Sequence, residues 1–358
     1  MNTDNDMKVT TPAELAEAVR SAPRVLAVGA GTKPRLSAVA SDVVKISTVK
    51  LTGIVEYEPS EFTFTALAGT PVKAIAAALA ERGQYLPFDP LLVDAGATIG
   101  GTVAAGLGGP GRFRFGGLRD FIVGVRFVDG GGRLMRMGGK VVKNAAGFDL
   151  PKFFVGSLGR FGALADVTFK VFPRAVATRT LRLGAADVTA MATIFAEAAG
   201  KRWELDALEA APAEGAVYAR LAGPAAALDA LAAEIFSRWP GVALTDEAAA
   251  KVWRDVREFG WAHSDGEWVK VALVAGDLAG FLSWVRTMDA ARVWVGLGGN
   301  VGFVSLPSGG KFAGGWGWPA MTLRGAGALW PGKRAGAEVF RAVKAALDPQ
   351  GRFPGIEE

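Results

Sequence analysis

The sequence contains no cysteine. That excludes disulfides, thiolate metal ligands and a cysteine nucleophile together. It has a single histidine, His263, so a multi-histidine metal site is excluded as well. It has no long basic run. The formal net charge is +5, with lysines and arginines scattered among acids, which makes nucleic acid a poor partner and suits an anionic ligand or an acidic protein surface. No stretch approaches the ~18 consecutive apolar residues of a spanning helix. The polar start MNTDNDMKVTTP lacks the apolar segment of a signal peptide. These absences lead to the expectation of a cytoplasmic protein that meets a membrane only through partners. Half of the residues are hydrophobic, enough for a substantial core, and 358 residues suffice for two ordinary domains.

What is present is unevenly placed. Nineteen of the 48 glycines lie within residues 96–162, whereas all ten tryptophans lie within residues 203–330. The first half is rich in tight turns and the second in large aromatic bodies. The boundary falls near Pro173-Arg174, giving expected domains 1–175 and 176–330 and a C-terminal segment 331–358.

In the first half, Thr11, Pro12 and Glu14 form a helix-start signal. RVLAVGA reads as a buried strand, and GIVEYEPSEFTFTALAG as two strands about a turn at Pro59-Ser60. Thr70-Pro71 is expected to cap a helix that Gly83 stops. FIVGVRFVDGGGRLMRM reads as a hairpin and ALADVTFKVFP as a further strand. There is no regular βαβ count, so the fold class is α+β. The second half reads as strand, helix, strand, strand, helix from TRTLRL to ALDALAAEIFSRW, and as strand, helix, strand, strand from WVKVALVAG to VGFVSLP. The two units are expected to pair into one antiparallel sheet covered by helices, a ferredoxin-like α+β layout.

Three glycine segments carry the candidate chemistry. VGAGTKPRLSA, residues 28–38, follows a strand and offers successive backbone N–H groups, a hydroxyl on Thr32 and a charge on Lys33, a composition that holds phosphate oxygens. It lacks the third glycine of a Rossmann fingerprint, Pro34 blocks the receiving helix, and the Gly-Lys-Ser/Thr ending of a P-loop is absent. On these residues alone a plain strand-to-strand turn fits equally. GATIGGTVAAGLGGPGRFRFGGLRD, residues 96–120, contains a short helical run whose N-terminus favours anions, and its interleaved Ile99, Val103, Leu107, Phe113 and Phe115 argue against disorder. GKVVKNAAGFDLPKFFVGSLGRFG, residues 139–162, adds a second set of close turns flanked by Lys143 and Arg160.

The order of VGAGTKPRL, LTGIVEYEPSEFTFTALAGTP, LPFDP, ATIGGTVAAGLGGPGRFRFGGLRDFIVGV and GKVVKNAAGFDLPKFFVGSLGRFGAL resembles the FAD-binding domain of the vanillyl-alcohol-oxidase, or PCMH, type. Within that group it is similar to the FAD-binding subunits of bacterial glycolate oxidases. KAALDPQGRFPG resembles the closing motif of the superfamily. The resemblance implies a PCMH-type domain of two α+β subdomains with an α+β cap domain. It also implies non-covalent FAD, since the nucleotide domain holds neither histidine nor cysteine.

By the same resemblance Gly29, Ala30, Gly31, Thr32, Lys33 and Pro34 hold the pyrophosphate through backbone N–H groups. Thr98, Gly100, Gly101, Thr102 and Ala105 form a second wall along the dinucleotide, and Gly116 and Asp120 support the groove. Gly156, Ser157, Gly159, Ala163 and Leu164 complete it. Departures from the superfamily pattern are Phe148 for tyrosine, Leu158 for glutamate, Arg160 for threonine, and Arg352-Phe353-Pro354-Gly355 in place of a motif containing asparagine.

Oxidation of a 2-hydroxy acid needs a base for the hydroxyl proton. Where catalytic relatives carry a histidine-rich segment, this chain reads RVWVGLGGNVGFVSLP. His263 reads as a loop histidine, and no catalytic residue is assigned. The leading expectation is an FAD-binding subunit that assists a larger catalytic flavin subunit and an iron–sulfur subunit in oxidising glycolate to glyoxylate. The alternatives are a self-sufficient FAD-dependent 2-hydroxy-acid dehydrogenase and a non-catalytic assembly subunit with a decayed flavin site. Core packing accounts for at least half of the tryptophans, and the loop GGKFAGGWGWPAM is the best interface candidate.

Overall fold

The computed structural model describes residues 7–139, 149–334 and 336–357, so Lys143 and Phe148 lie outside the described residues. The chain forms two compact units. The first comprises Met1–Gly108, Gly117–Pro173 and Gly336–Glu358; the second comprises Gly109–Gly116 and Arg174–Ala335.

In the first unit, helix α1 (Pro12–Ser21) starts where the sequence signals it. The Thr11 hydroxyl accepts from Glu14 N at 3.1 Å, and the Glu14 carboxylate accepts from Thr10 N at 2.7 Å. Those bonds from Thr10 hold the Glu14 carboxyl below its usual range. Leu15 and Val19, one turn apart, are fully buried. A small parallel sheet is ordered Met7–Lys8, Val44–Ser47, Val25–Val28. A second, antiparallel sheet is ordered Ile54–Glu58, Thr63–Leu67, Ala163–Lys170, Ile122–Val128, Leu134–Gly138. Its central strand Ala163–Lys170 is buried on both faces, with Phe169 stacking on Phe64 at 6.0 Å.

Helix α2 (Val72–Ala80) departs from expectation at its cap. Thr70 does not cap it: its hydroxyl donates to Leu67 O at 2.6 Å and engages Gly53 from across the fold. The C-terminal segment is tied to this unit. Val25 N donates to Arg352 O at 2.8 Å, and Arg352 Nη1 donates to Ala22 O at 2.6 Å. Asp348 Oδ1 and Oδ2 accept from the backbone N–H groups of Arg352 and Phe353.

The second unit is one eight-stranded antiparallel sheet. Its order is Gly241–Ala243, Ala177–Gly184, Ala216–Gly223, Ala207–Ala211, Arg292–Gly296, Val301–Leu306, Glu267–Ala272, Ala320–Arg324. The two repeats meet in the middle, where Ala210 pairs with Val295. Helices Val188–Gly200, Ala225–Phe236 and Leu278–Val285 cover one face around Phe281, Leu183 and Val269. Helix Asp246–Glu258 covers part of the other, where Trp253 packs with Tyr218 and Trp294. This is the layout that the strand, helix, strand, strand repeat predicts.

Gly109–Gly116, from the middle of the glycine-rich window, groups with this second unit. Phe113 packs on its core and lies so close to Gly298 that a Cβ there would meet the ring at 2.7 Å. Arg114 pairs with Glu204 at 2.8 Å. In the loop after the strand Val301–Leu306, Trp316 and Trp318 pack against Trp284, at 4.7 and 5.9 Å between ring centres. His263 is structural: its N–H donates to the Ser305 hydroxyl at 3.0 Å, and its carbonyl accepts from Trp268 Nε1 at 3.0 Å.

Candidate functional site

A cleft of about 510 Å³, open to solvent, lies in the first unit where the strand Val25–Val28 ends. One wall is the turn that follows the strand. The other is helix α3 (Ile99–Ala105) together with Leu158. Gly29, Ala30, Gly31, Thr32, Lys33, Thr98, Gly101 and Ala105 all line it, as does Leu26 at its base. Among the described residues no acidic one lines it.

The turn is shaped for an anion. Gly31 has φ +66, which reverses the chain before a single 3₁₀ turn at Pro34–Ser37. Pro34 is therefore followed by one helical turn only. Among the described residues, none accepts from the backbone N–H groups of Gly29, Ala30, Gly31 or Thr32. Backbone donors without acceptors are costly unless water or a ligand meets them. Successive N–H groups of this kind make an anion-binding concavity. Lys33 is 7% exposed and donates to the Thr32 hydroxyl at 3.0 Å, which brings positive charge to the same turn.

The opposite wall touches this turn through glycine. A Cβ on Gly29 would meet Thr98 Oγ1 at 2.3 Å, and one on Gly101 would meet it at 3.0 Å. Thr98 also caps α3 by accepting from Gly101 N at 3.3 Å. The other first-turn donors of α3 are used as well: Ile99 N donates to Thr70 O and Gly100 N to Ala68 O. The N-terminal donors of α3 are therefore engaged within the fold, whereas the amides of residues 29–32 have no acceptor among the described residues. Gly100 serves packing, since a Cβ there would meet Ala68 O at 2.8 Å.

From the segment Gly156-Ser157-Leu158-Gly159, Leu158 lines the cleft, whereas Gly156, Ser157 and Gly159 do not. Gly156, Leu158 and Gly159 are left-handed, with φ of 82, 53 and 73. Gly156 N and Leu158 N donate to Val103 O and Ala104 O of α3. Arg160 is completely buried, and its Nη1 holds Leu158 O at 2.8 Å. The buried hydroxyls of Thr102 and Ser157 have no hydrogen-bond partner among the described residues.

Gly106 (φ +66) lets α3 approach this segment: a Cβ would meet Gly156 N and Cα at 2.8 Å. Gly106→Ala is expected to lose about 2 kcal/mol or more, from left-handed strain plus the backbone clash. Thermal unfolding of the purified variant measures that loss, and an unchanged midpoint would contradict it.

The remaining sequence candidates fall elsewhere. Ala163 and Leu164 are buried in the sheet, opposite Val128 and Phe127, and do not line the cleft. Asp120 caps its own short helix by accepting from Gly117 N at 2.8 Å. Gly116 belongs to the second unit. Sequence reasoning missed Ala27, Ala97, Ala104 and Leu158 as lining residues. Leu158 had a signal in its place between two turn glycines; the alanines had none beyond small size.

The donor set fits an extended diphosphate-bearing group such as FAD, with free amides at one end, orphaned hydroxyls nearby and no carboxylate to repel it.

Residues 5–138 match the FAD binding domain family. The chain is 38% identical to the glycolate oxidase subunit GlcE of Escherichia coli over 209 residues, 58% of this chain and 56% of that protein. It is 32% identical to the glycolate oxidase subunit GlcD of Bacillus subtilis over 128 residues, 36% of this chain and 27% of that one. A D-2-hydroxyglutarate dehydrogenase of Xanthomonas citri is 28% identical over 47% of this chain and 37% of its own length. The matches thus span about half or less of these relatives. A solved structure of alkyldihydroxyacetonephosphate synthase shares the fold over 97% of this chain and 74% of its own, with TM-score 0.65 and 15% identity. The chain is therefore similar to the FAD binding domain family over residues 5–138 and to a glycolate oxidase subunit over about half its length, and it shares its fold with the alkyldihydroxyacetonephosphate synthase structure.

Proposed function

We propose that this chain is the FAD-binding subunit of a glycolate oxidase complex that oxidises glycolate to glyoxylate. It works beside a larger catalytic flavin subunit and an iron–sulfur subunit. The observation that carries this reading is the cleft at residues 29–32, whose free backbone donors fit a diphosphate, in a chain similar to glycolate oxidase subunits.

FAD, when bound, supplies a two-electron acceptor for oxidation of a CH–OH group. The chain's own residues bind and orient it. The amides of residues 29–32 would meet the pyrophosphate and Lys33 would add positive charge, facing a second wall formed by α3 and Leu158. Ala105 and Leu158 keep that wall apolar. Attachment is non-covalent, because the chain has no cysteine and no histidine before His263. That one imidazole is set in a structural loop, with a ring nitrogen 2.9 Å from Ala290 O. This supports placing the base for the substrate hydroxyl on the partner subunit. Among the described residues no helix is long and apolar enough to cross a membrane. A cytoplasmic location, with any membrane association arising through the complex, belongs to the same proposal.

The chain purified alone is expected to be yellow, and glycolate should leave its flavin absorbance unchanged. Adding the two partner subunits should permit glycolate-dependent bleaching. Bleaching by the isolated chain would overturn the division of labour.

A further inference from the structure

Residues 290–337 contain five lysines and arginines and no aspartate or glutamate. The rest of the chain holds 35 basic residues against 35 acidic ones, so the whole +5 excess lies in this stretch. Two of the five cations serve the fold. Arg292 Nη1 donates to Ala262 O at 3.3 Å, and the Arg324 guanidinium lies over the Trp268 ring at 4.0 Å. The other three, Lys311, Lys333 and Arg334, fall in the two loops that follow the strands Val301–Leu306 and Ala320–Arg324. Lys311 and Lys333 are exposed, and among the described residues neither makes a hydrogen bond or an ion pair.

Those two loops lie side by side within the second unit. Gly332 leaves no room for a Cβ against Trp318 O, and the Arg334 guanidinium stands over the Trp330 ring at 5.1 Å. In the first loop Phe312 meets Trp316 at 5.6 Å, and Trp284 Nε1 donates to Gly314 O at 3.3 Å. Phe312, Trp316, Trp318 and Trp284 are each only partly buried. The result is a fixed aromatic surface rimmed by cations, the make-up of an interaction site. Gly314 and Gly317 add an independent observation. Both are exposed, neither has a positive φ, and a Cβ on either would meet nothing within 4 Å. Neither packing nor backbone conformation requires glycine there, whereas the close approach of another surface does.

We propose that this surface docks an acidic face of a partner protein, one of the other subunits of the complex. Tryptophans contribute most to such contacts when a partner excludes water from them. The cations select an acidic face and speed the encounter with it. The rings suit a protein better than a membrane, because they pack on one another and stay partly buried instead of projecting into solvent. Naming the partner as a subunit rests on the glycolate oxidase reading; the surface itself does not.

The test is biolayer interferometry of the immobilised full chain against the larger flavin subunit and the iron–sulfur subunit, at low and high salt. The wild-type chain should bind, with association slowed by salt. Lys311→Glu combined with Lys333→Glu should weaken binding by about tenfold or more, and the paired arginine substitutions should retain it. Gly317→Leu should also block docking with an unchanged thermal midpoint, since its Cβ meets nothing in the chain. Flavin content and thermal midpoint are recorded for every variant. A wild-type chain that binds while the charge-reversed and Gly317→Leu variants bind equally well would overturn the surface and leave the complex reading intact. A wild-type chain that binds neither subunit would overturn the partner assignment together with the complex reading. Binding to phosphatidylglycerol vesicles or to an oligothymidylate in place of the subunits, lost on charge reversal, would overturn a protein as the occupant.

Discussion

Gly29→Val is expected to yield a folded chain that retains no flavin. Valine places its Cβ where Thr98 Oγ1 now sits, 2.3 Å from the ideal position. No pair of heavy atoms tolerates that separation, so Thr98 must rotate and release Gly101 N, at a cost of about 1 kcal/mol for the lost cap. The added methyl groups also crowd the turn whose free amides define the cleft. The fold should survive, because Gly29 lies outside the strands and the clash is with one side chain. Flavin absorbance of the purified variant, with far-ultraviolet circular dichroism as the control, reads both effects. Gly29→Ala paired with Thr98→Ala should recover much of the binding, since the clash is then gone. A yellow Gly29→Val protein would place the pyrophosphate elsewhere.

Lys270→Met is expected to stabilise the chain. In the folded state the ammonium is pushed from 10.5 down to about 8, chiefly by burial and then by Arg112. Below about pH 8 both folded and unfolded chains carry this proton, and the penalty is fully present. Between about 8 and 10.5 the unfolded chain holds a proton that the folded chain has released, so stability rises with pH across that window. Methionine removes the charge and keeps the length. It should add about 2 kcal/mol near neutral pH and abolish this part of the pH dependence. Denaturant unfolding of both proteins at pH 7 and pH 10 measures it, with the difference between them isolating Lys270 from other titrating groups. Destabilisation by methionine at pH 7 would show that the ammonium has an internal partner.

Local signals in the sequence were legible where the partners are local. Thr11, Pro12 and Glu14 start α1 as read, because cap and donor lie within one turn. The strand repeat of the second unit was legible as alternation, and its helices as periodicity. What escaped reading depends on distant contacts. Thr70 looked like a cap, but its hydroxyl is bound by Leu67 and Gly53. Gly100 is read along the dinucleotide from its glycine context, and its packing on Ala68, where a Cβ would meet Ala68 O at 2.8 Å, has no local signal. Gly109–Gly116 read as part of the nucleotide domain, and only the seat of Phe113 against Gly298 assigns it to the other unit. The glycine turn of residues 29–34 is legible from composition, where an ordinary turn fits equally; the absence of acceptors for the amides of residues 29–32 among the described residues supports the anion reading.

The most direct test of the central claim is titration of flavin-free chain with FAD, followed by quenching of flavin fluorescence. Saturation at one FAD per chain, with all flavin released unmodified on denaturation, is the expected result. Failure to saturate, or flavin that stays attached after denaturation, would contradict a non-covalent FAD site in this cleft.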